Sequence, residues 1–170
     1  MGYTLRIGEL QVSYENDESE PRIALTARPE SHDDAPAFGE PTDHSNQRWP
    51  SYTAWAEFAR DFGLYSLFYG TEVGGKYQVR DDALIAQHPG CVPLTERHRR
   101  EINAALGAFK ERHPDATPKF GRPPPEGVHP FMWEDPDNPE ENGKMTRIVW
   151  LAYWVNWALD NCSQPVFENT

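Results

Sequence analysis

Cysteine is nearly absent from this chain of 170 residues: only Cys91 and Cys162 occur, far apart and outside any spacing pattern. That excludes a disulfide framework and a thiolate metal cluster, and the two read as free thiols in a reducing compartment. Long apolar runs are missing as well. The most apolar stretch, Ile148 to Leu159, covers twelve positions and includes Asn156, whereas a membrane span needs about 20. The opening MGYTLRIGEL lacks the basic-then-apolar layout of a secretory leader, and Arg6 stands where a myristoylation signal carries Ser or Thr. The expectation is a cytoplasmic protein with no membrane partner.

Motifs that carry chemistry are equally scarce. There is no Gly-x-Ser-x-Gly elbow and no His-Glu-x-x-His pair, and the glycine-rich GTEVGG at 70 to 75 lacks the Lys-Ser/Thr that completes a phosphate loop. His88 and Cys91 are three apart with His98 seven further on, but tetrahedral zinc wants two close-spaced pairs and only one exists. The acidic run from Glu134 to Glu141 carries Pro139 where a calcium loop needs a ligand. No metal and no cofactor is implied. The side chains most able to act as a base with an orienting carboxylate are His32-Asp33-Asp34 and Asp43-His44, in a polar stretch that needs no catalytic explanation.

Positive charge is also in deficit. The net charge is −11, which opposes direct binding to a nucleic-acid backbone. The layout is uneven, however. Residues 97 to 122 hold seven basic side chains (Arg97, Arg99, Arg100, Lys110, Arg112, Lys119, Arg122) against three acidic ones, so this window is +4 while the remainder is −15. Guanidinium groups near aromatic rings suit a phosphate-bearing base. The plainer alternative is that these residues answer the chain's own acidic surface. Glu15, Asp17, Glu18, Glu20, Asp33, Asp34 and the run 134 to 141 either confer solubility or imitate nucleic acid on a basic partner.

Aromatic residues are abundant: six Trp, seven Tyr and eight Phe, so much of the core must be built from rings. Sixteen prolines and twelve glycines point to long loops. Residues 3 to 14 alternate as strand, turn, strand, with Gly8-Glu9 as the turn, and 22 to 26 (RIALT) supplies a third strand. Residues 27 to 50 hold no periodicity. Within NQRWPSYTAWAEFARDFG, Ser51 is a helix N-cap and Gly63 a stop; Tyr52, Trp55, Phe58, Ala59 and Phe62 share one face. Arg48 and Trp49 precede the cap and escape that periodicity. A short helix follows from Leu64, another is expected at Asp81 to Gln87, and Thr95 opens a helix to about Arg112 with the stripe Ile102, Ala105, Leu106, Phe109.

The last helix, about Lys144 to Asn161, has one apolar stripe of Ile148, Leu151, Val155, Leu159 and Cys162 and a second of Trp150, Tyr153, Trp154 and Trp157. Such a helix is central to its fold or is covered by a partner, and the second stripe is the expected homo-oligomer interface. The fold class is α+β: one domain over 1–170, with a small N-terminal antiparallel β element (1–26), helices over 51–112 and a C-terminal apolar helix over 144–162, joined by long proline-rich loops.

AFGEPTDHSNQRWPSYTAW, HPGCVPLT and the run ENG…WLAYWVNWALDNCSQPVF together resemble a family of small, largely uncharacterised proteins encoded by tailed phages. The resemblance covers about half of the chain and assigns no residue a role. It implies a non-enzymatic accessory protein that acts by binding, in the cytoplasm of an infected bacterium, and counters host defence by blocking a host protein. An alternative is a sponge that sequesters a nucleotide signal at a basic and aromatic site drawn from Arg48, Trp49, Arg97, Arg100, Lys110 and Lys119. A third is a small metal-dependent or His-Asp hydrolase.

Overall fold

The computed structural model describes residues 3–13, 22–25, 46–69, 72–73, 76–77, 91–119, 122, 125–128 and 135–169. Its elements are β1 (Tyr3–Ser13), β2 (Arg22–Leu25), β3 (Asn46–Trp49), α1 (Tyr52–Asp61), α2 (Tyr65–Tyr69), β4 (Glu72–Val73), β5 (Lys76–Tyr77), β6 (Cys91–Pro93), α3 (Glu96–Arg112), α4 (Glu140–Asn161) and β7 (Pro165–Asn169). The class is α+β, as expected. The expected helix at 81–87 and the His-Asp pairs at 32–34 and 43–44 lie outside the described residues.

The sheet differs from the sequence reading. Gly8-Glu9 is not a turn: β1 runs unbroken through it. The pairing that keeps it straight comes from the far end of the chain, because Leu5 to Glu9 lie antiparallel to Pro165 to Asn169 of β7. The Glu9 carboxylate accepts from the backbone N–H groups of Ser163 at 2.6 Å and Gln164 at 2.8 Å, which ties the end of α4 to β1. The strand order is β2-β1-β7-β6, with β3 also on β1. β2 takes the last third of β1, Leu10 opposite Leu25, and β3 takes the first, Tyr3 opposite Trp49. The N-terminal β element is thus completed by two strands from the second half of the chain, β6 and β7.

α1 forms where the residues dictate. The Ser51 side chain accepts from the Ala54 N–H at 3.2 Å. At the other end Leu64 N–H bonds to the Ala59 carbonyl and Gly63 N–H to that of Arg60. This double closure needs a left-handed residue, and Gly63 supplies φ +69°. The elbow turns the chain into α2 and sends Leu64, Leu67 and Phe68 inward beside Trp55, Phe58 and Ala59.

α3 and α4 pack antiparallel. Arg99 meets Asp160 at 2.7 Å near one end and Asn103 exchanges amide bonds with Asn156 further along; past the other end, the Thr117 N–H donates to Asn142. The stripe on α3 is buried at Ile102 and Phe109 and half-buried at Ala105 and Leu106.

α4 is wrapped by its own chain on both sides. Ile148, Leu151 and Val155 are buried, and so are Trp150 and Trp154 of the second stripe, both at 0% exposure. Those two tryptophans therefore cannot be interface residues as the sequence suggested. β1, β7 and α3 take up the surface that a partner would have covered. Tyr153 and Trp157 are half-buried, packed against the same core. A buried Trp-to-Ala change leaves a cavity the size of an indole. Trp150→Ala and Trp154→Ala are each expected to cost about 3–5 kcal/mol, while Trp157→Ala costs clearly less. Urea unfolding followed by far-UV circular dichroism checks this, and equal losses at 154 and 157 would contradict the burial.

Candidate functional site

Three groups of polar side chains were legible as candidates: the basic helix with its neighbouring aromatic residues, the acidic run after it, and the histidines and cysteines. The structure treats each differently.

The basic residues are not gathered. An α-helix rises about 1.5 Å per residue, so Arg97 and Lys110 stand about 20 Å apart along α3, with Arg100 about 15 Å from Lys110. Lys119 lies beyond the helix end and is exposed, as are Arg100 and Lys110. Arg97 is held on Glu101 at 2.7 Å, and Arg99 on Asp160 and Glu96. Arg112 donates to the Ala108 carbonyl. Arg48 sits opposite Thr4 in the β1–β3 register; its side chain is outside the described residues. Trp49, expected to stand free of the core, is buried at 3% exposure, edge-on to Trp55 and Phe58. β3 alternates, so Gln47 and Trp49 share its buried face. The guanidinium of Arg147 lies 3.7 Å over the Trp49 ring, and burial lowers its pKa to about 10. Trp49 is thus a platform for a cation of its own chain. The six residues do not form one anion site.

The acidic run is partly neutralised from within. Arg122 donates to both Asp135 and Asp137. Asp135 also accepts from the backbone N–H groups of Arg122 at 2.7 Å and Asp137 at 3.1 Å, which pins two distant parts of the proline-rich segment together. Lys144 bridges Glu140 at 2.8 Å and Asp61 at 3.5 Å. Beside this run, Arg112, His113, Asp115, Glu141 and Asn142 line a cleft of about 260 Å³ between the end of α3 and the start of α4. Its charges are mixed in sign.

The histidine and the thiols belong to the fold. His98, which entered the sequence reading only through its spacing from His88 and Cys91, is fully buried. Its Nδ1 accepts the Thr95 N–H at 3.1 Å, and its Nε2 lies 3.2 Å from the Leu67 carbonyl oxygen. A backbone N–H only donates and a carbonyl only accepts, so the proton is on Nε2 and the ring is neutral. His98 thereby closes the first turn of α3 and joins it to α2. Its spacing was a signal that sequence reasoning missed, since it stands four residues before Ile102 on the buried stripe. Burial pushes the Cys91 thiol up to about 12, with the Glu168 carboxylate adding to the effect. Cys162 rises to about 11 through burial and through Glu9, to which it hydrogen-bonds. Neither thiol has nucleophile character. Among the described residues, no three His, Cys, Asp or Glu side chains are placed to hold a metal ion, and no helix is long and apolar enough to cross a membrane.

One polar group was invisible in the sequence. Arg6, Glu168 and Cys91 line up across β1, β7 and β6, Arg6 opposite Glu168 and Glu168 opposite Cys91. Their face of the sheet is opposite to the one carrying Leu5, Ile7 and Phe167 into the helices. Glu168 is 8% exposed, and burial raises its pKa while Arg6 opposes the rise.

Comparison with protein-family models, curated proteins and solved structures gives no match.

The bonds from Arg122 and from two backbone N–H groups hold the Asp135 carboxyl well below the usual carboxylate range. A lowered folded value means that Asp135 stabilises the loop at and above the ordinary carboxylate pKa and loses that contribution only as pH falls further. Carboxyl ¹³C titration is expected to show Asp135 still ionised at pH 3, below the ordinary aspartate value of about 3.9. A midpoint near that ordinary value would remove the clamp from the account.

Proposed function

We propose that this chain is a binding protein whose acidic surface engages a basic partner protein. One observation carries the reading: three of the seven basic side chains in 97–122 are spent on the chain's own carboxylates. Arg97 lies on Glu101, Arg99 on Asp160 and Glu96, and Arg122 on Asp135 and Asp137. The remaining cations on α3 are strung along the helix rather than clustered. What a partner meets at long range is therefore the field of the −11 charge. Glu57, Glu111, Asp115 and Glu126 contribute to that field as exposed carboxylates.

The resemblance of the 37–55, 88–95 and C-terminal segments to tailed-phage accessory proteins supports a finer version of the reading. In it the partner is a bacterial host protein with a basic groove, the setting is the cytoplasm of an infected cell, and the outcome is a block on host defence. Electrostatic complementarity of this kind acts mainly on the association rate and is screened by salt.

The test is affinity capture from host lysate, followed by kinetics with the captured protein over a range of ionic strength. Association is expected to slow steeply as the Debye length falls from about 10 Å at 0.1 M salt to about 3 Å at 1 M. Neutralising Glu57, Glu111, Asp115 and Glu126 together to Gln is expected to slow it about tenfold at low salt. A complex indifferent to salt, or a stoichiometric nucleotide among the small molecules released on heating the purified protein, would overturn the reading.

A further inference from the structure

Gly143 ends the first turn of α4, a place where glycine lowers helix stability relative to alanine. Neither backbone nor packing requires it there. Its φ is not left-handed, and a Cβ built on it meets nothing within 4 Å. Gly107 of α3 is equally unconstrained, but it follows Leu106, which carries no reactive amide. Gly143 follows Asn142, and this is the only Asn-Gly step in the chain. In such a step no side chain shields the backbone nitrogen that can close a five-membered ring on the asparagine amide carbon.

The Asn142 amide is also a structural link. Its Oδ1 accepts the Thr117 N–H at 2.9 Å, and its Nδ2 donates to Asn138 Oδ1 at 3.0 Å. Asn138 Nδ2 in turn donates to the Lys119 carbonyl at 3.4 Å. This series of amides ties the segment after α3 to the start of α4. Two features expose it to reaction. Asn142 lines the cleft of about 260 Å³ at the end of α3, which admits water. The N-cap is Pro139, with no side-chain cap bond, and helix ends without one fray.

We propose that Asn142 is a site of spontaneous deamidation, and that its conversion is a one-way switch on this series of amides. The Gly143 nitrogen bonds to Asn142 Cγ, and the side-chain nitrogen leaves as ammonia, taking the Gly143 proton. Water then adds across a carbon–nitrogen bond of the cyclic imide, leaving aspartate or isoaspartate and restoring an N–H. Aspartate keeps the acceptor for Thr117 and loses the donor to Asn138. The Asn138 amide must turn to present its NH₂ to the new carboxylate, and it gives up the Lys119 carbonyl. Isoaspartate adds a methylene to the backbone and breaks the first turn itself. A helical backbone holds the Gly143 nitrogen away from Cγ, so the reaction runs from the frayed turn.

The full chain, folded and in urea, is incubated in mildly alkaline buffer and followed by intact mass and peptide mapping. Conversion is expected at Asn142 in both states, about tenfold slower in the folded chain because it passes through local opening. Gly143→Ala is expected to suppress conversion in both states while raising Tm. Asn142→Asp, which reproduces one product, is expected to shift the Asn138 side-chain amide resonances and to leave the Thr117 N–H protected from exchange. The inference is overturned if folded Asn142 stays intact over the time in which the chain in urea converts completely. It is equally overturned if Gly143→Ala converts like the parent, or if Asn138 does not respond to Asn142→Asp. Salt dependence tests the acidic surface and covalent change tests this site, so the two readings stand or fall separately.

Discussion

The rest of the fold depends on one constraint, a 22-residue helix whose apolar side chains cover most of its circumference. Nine of its residues are buried, from Met145 to Ala158, and a single flat surface cannot cover them. The chain answers with two layers. α3 lies antiparallel along one side, fixed by the Arg99–Asp160 pair and the Asn103–Asn156 amides. The sheet lies on another, and it gets there because α4 leads directly into β7, which pairs with β1. Glu9 makes that junction rigid by holding the two N–H groups between helix and strand. The two ends of the chain thus meet through the helix that both must bury.

The same constraint accounts for how the polar side chains are used. His98 caps α3 and bonds to α2; Arg147 lies on Trp49; Arg122 gathers two aspartates. These are the residue types from which catalytic or anion-binding sites are built, and here each joins one element to another. Among the described residues α1, α2 and α3 supply the helical packing around α4, and such bonds add to it by tying the elements together. Surplus negative charge then sets what the surface can recognise.

Local signals in the sequence were read correctly and distant ones were not. α1 was legible in its Ser51 cap, its Gly63 stop and its buried Trp55, Phe58 and Ala59, which all act within a few positions, whereas Tyr52, read onto the same face, is exposed. α3 and α4 followed from periodicity, with α4 starting at Glu140, about one turn before the expected Lys144. β1 was misread as a hairpin because Gly8-Glu9 has turn composition, and the strand that straightens it is more than 150 residues away. β6 and β7, at three and five residues, are too short to show an alternation. Trp49 was misplaced for a related reason: its periodicity is that of β3, not of α1. Trp150 and Trp154 raised the right question, since a helix apolar on two sides must be covered. Whether a partner or the chain itself covers it is decided by β7 and α3, and neither contact can be read from α4.

The central claim is that this helix is satisfied within one chain, and amide hydrogen exchange tests it directly. Protection of the α4 amides from Ile148 to Ala158 should be the same at protein concentrations that differ a hundredfold, because β1, β7 and α3 cover the helix in every molecule. Protection that appears only at the higher concentration would mean that a second copy covers Trp150 and Trp154, and would contradict the account.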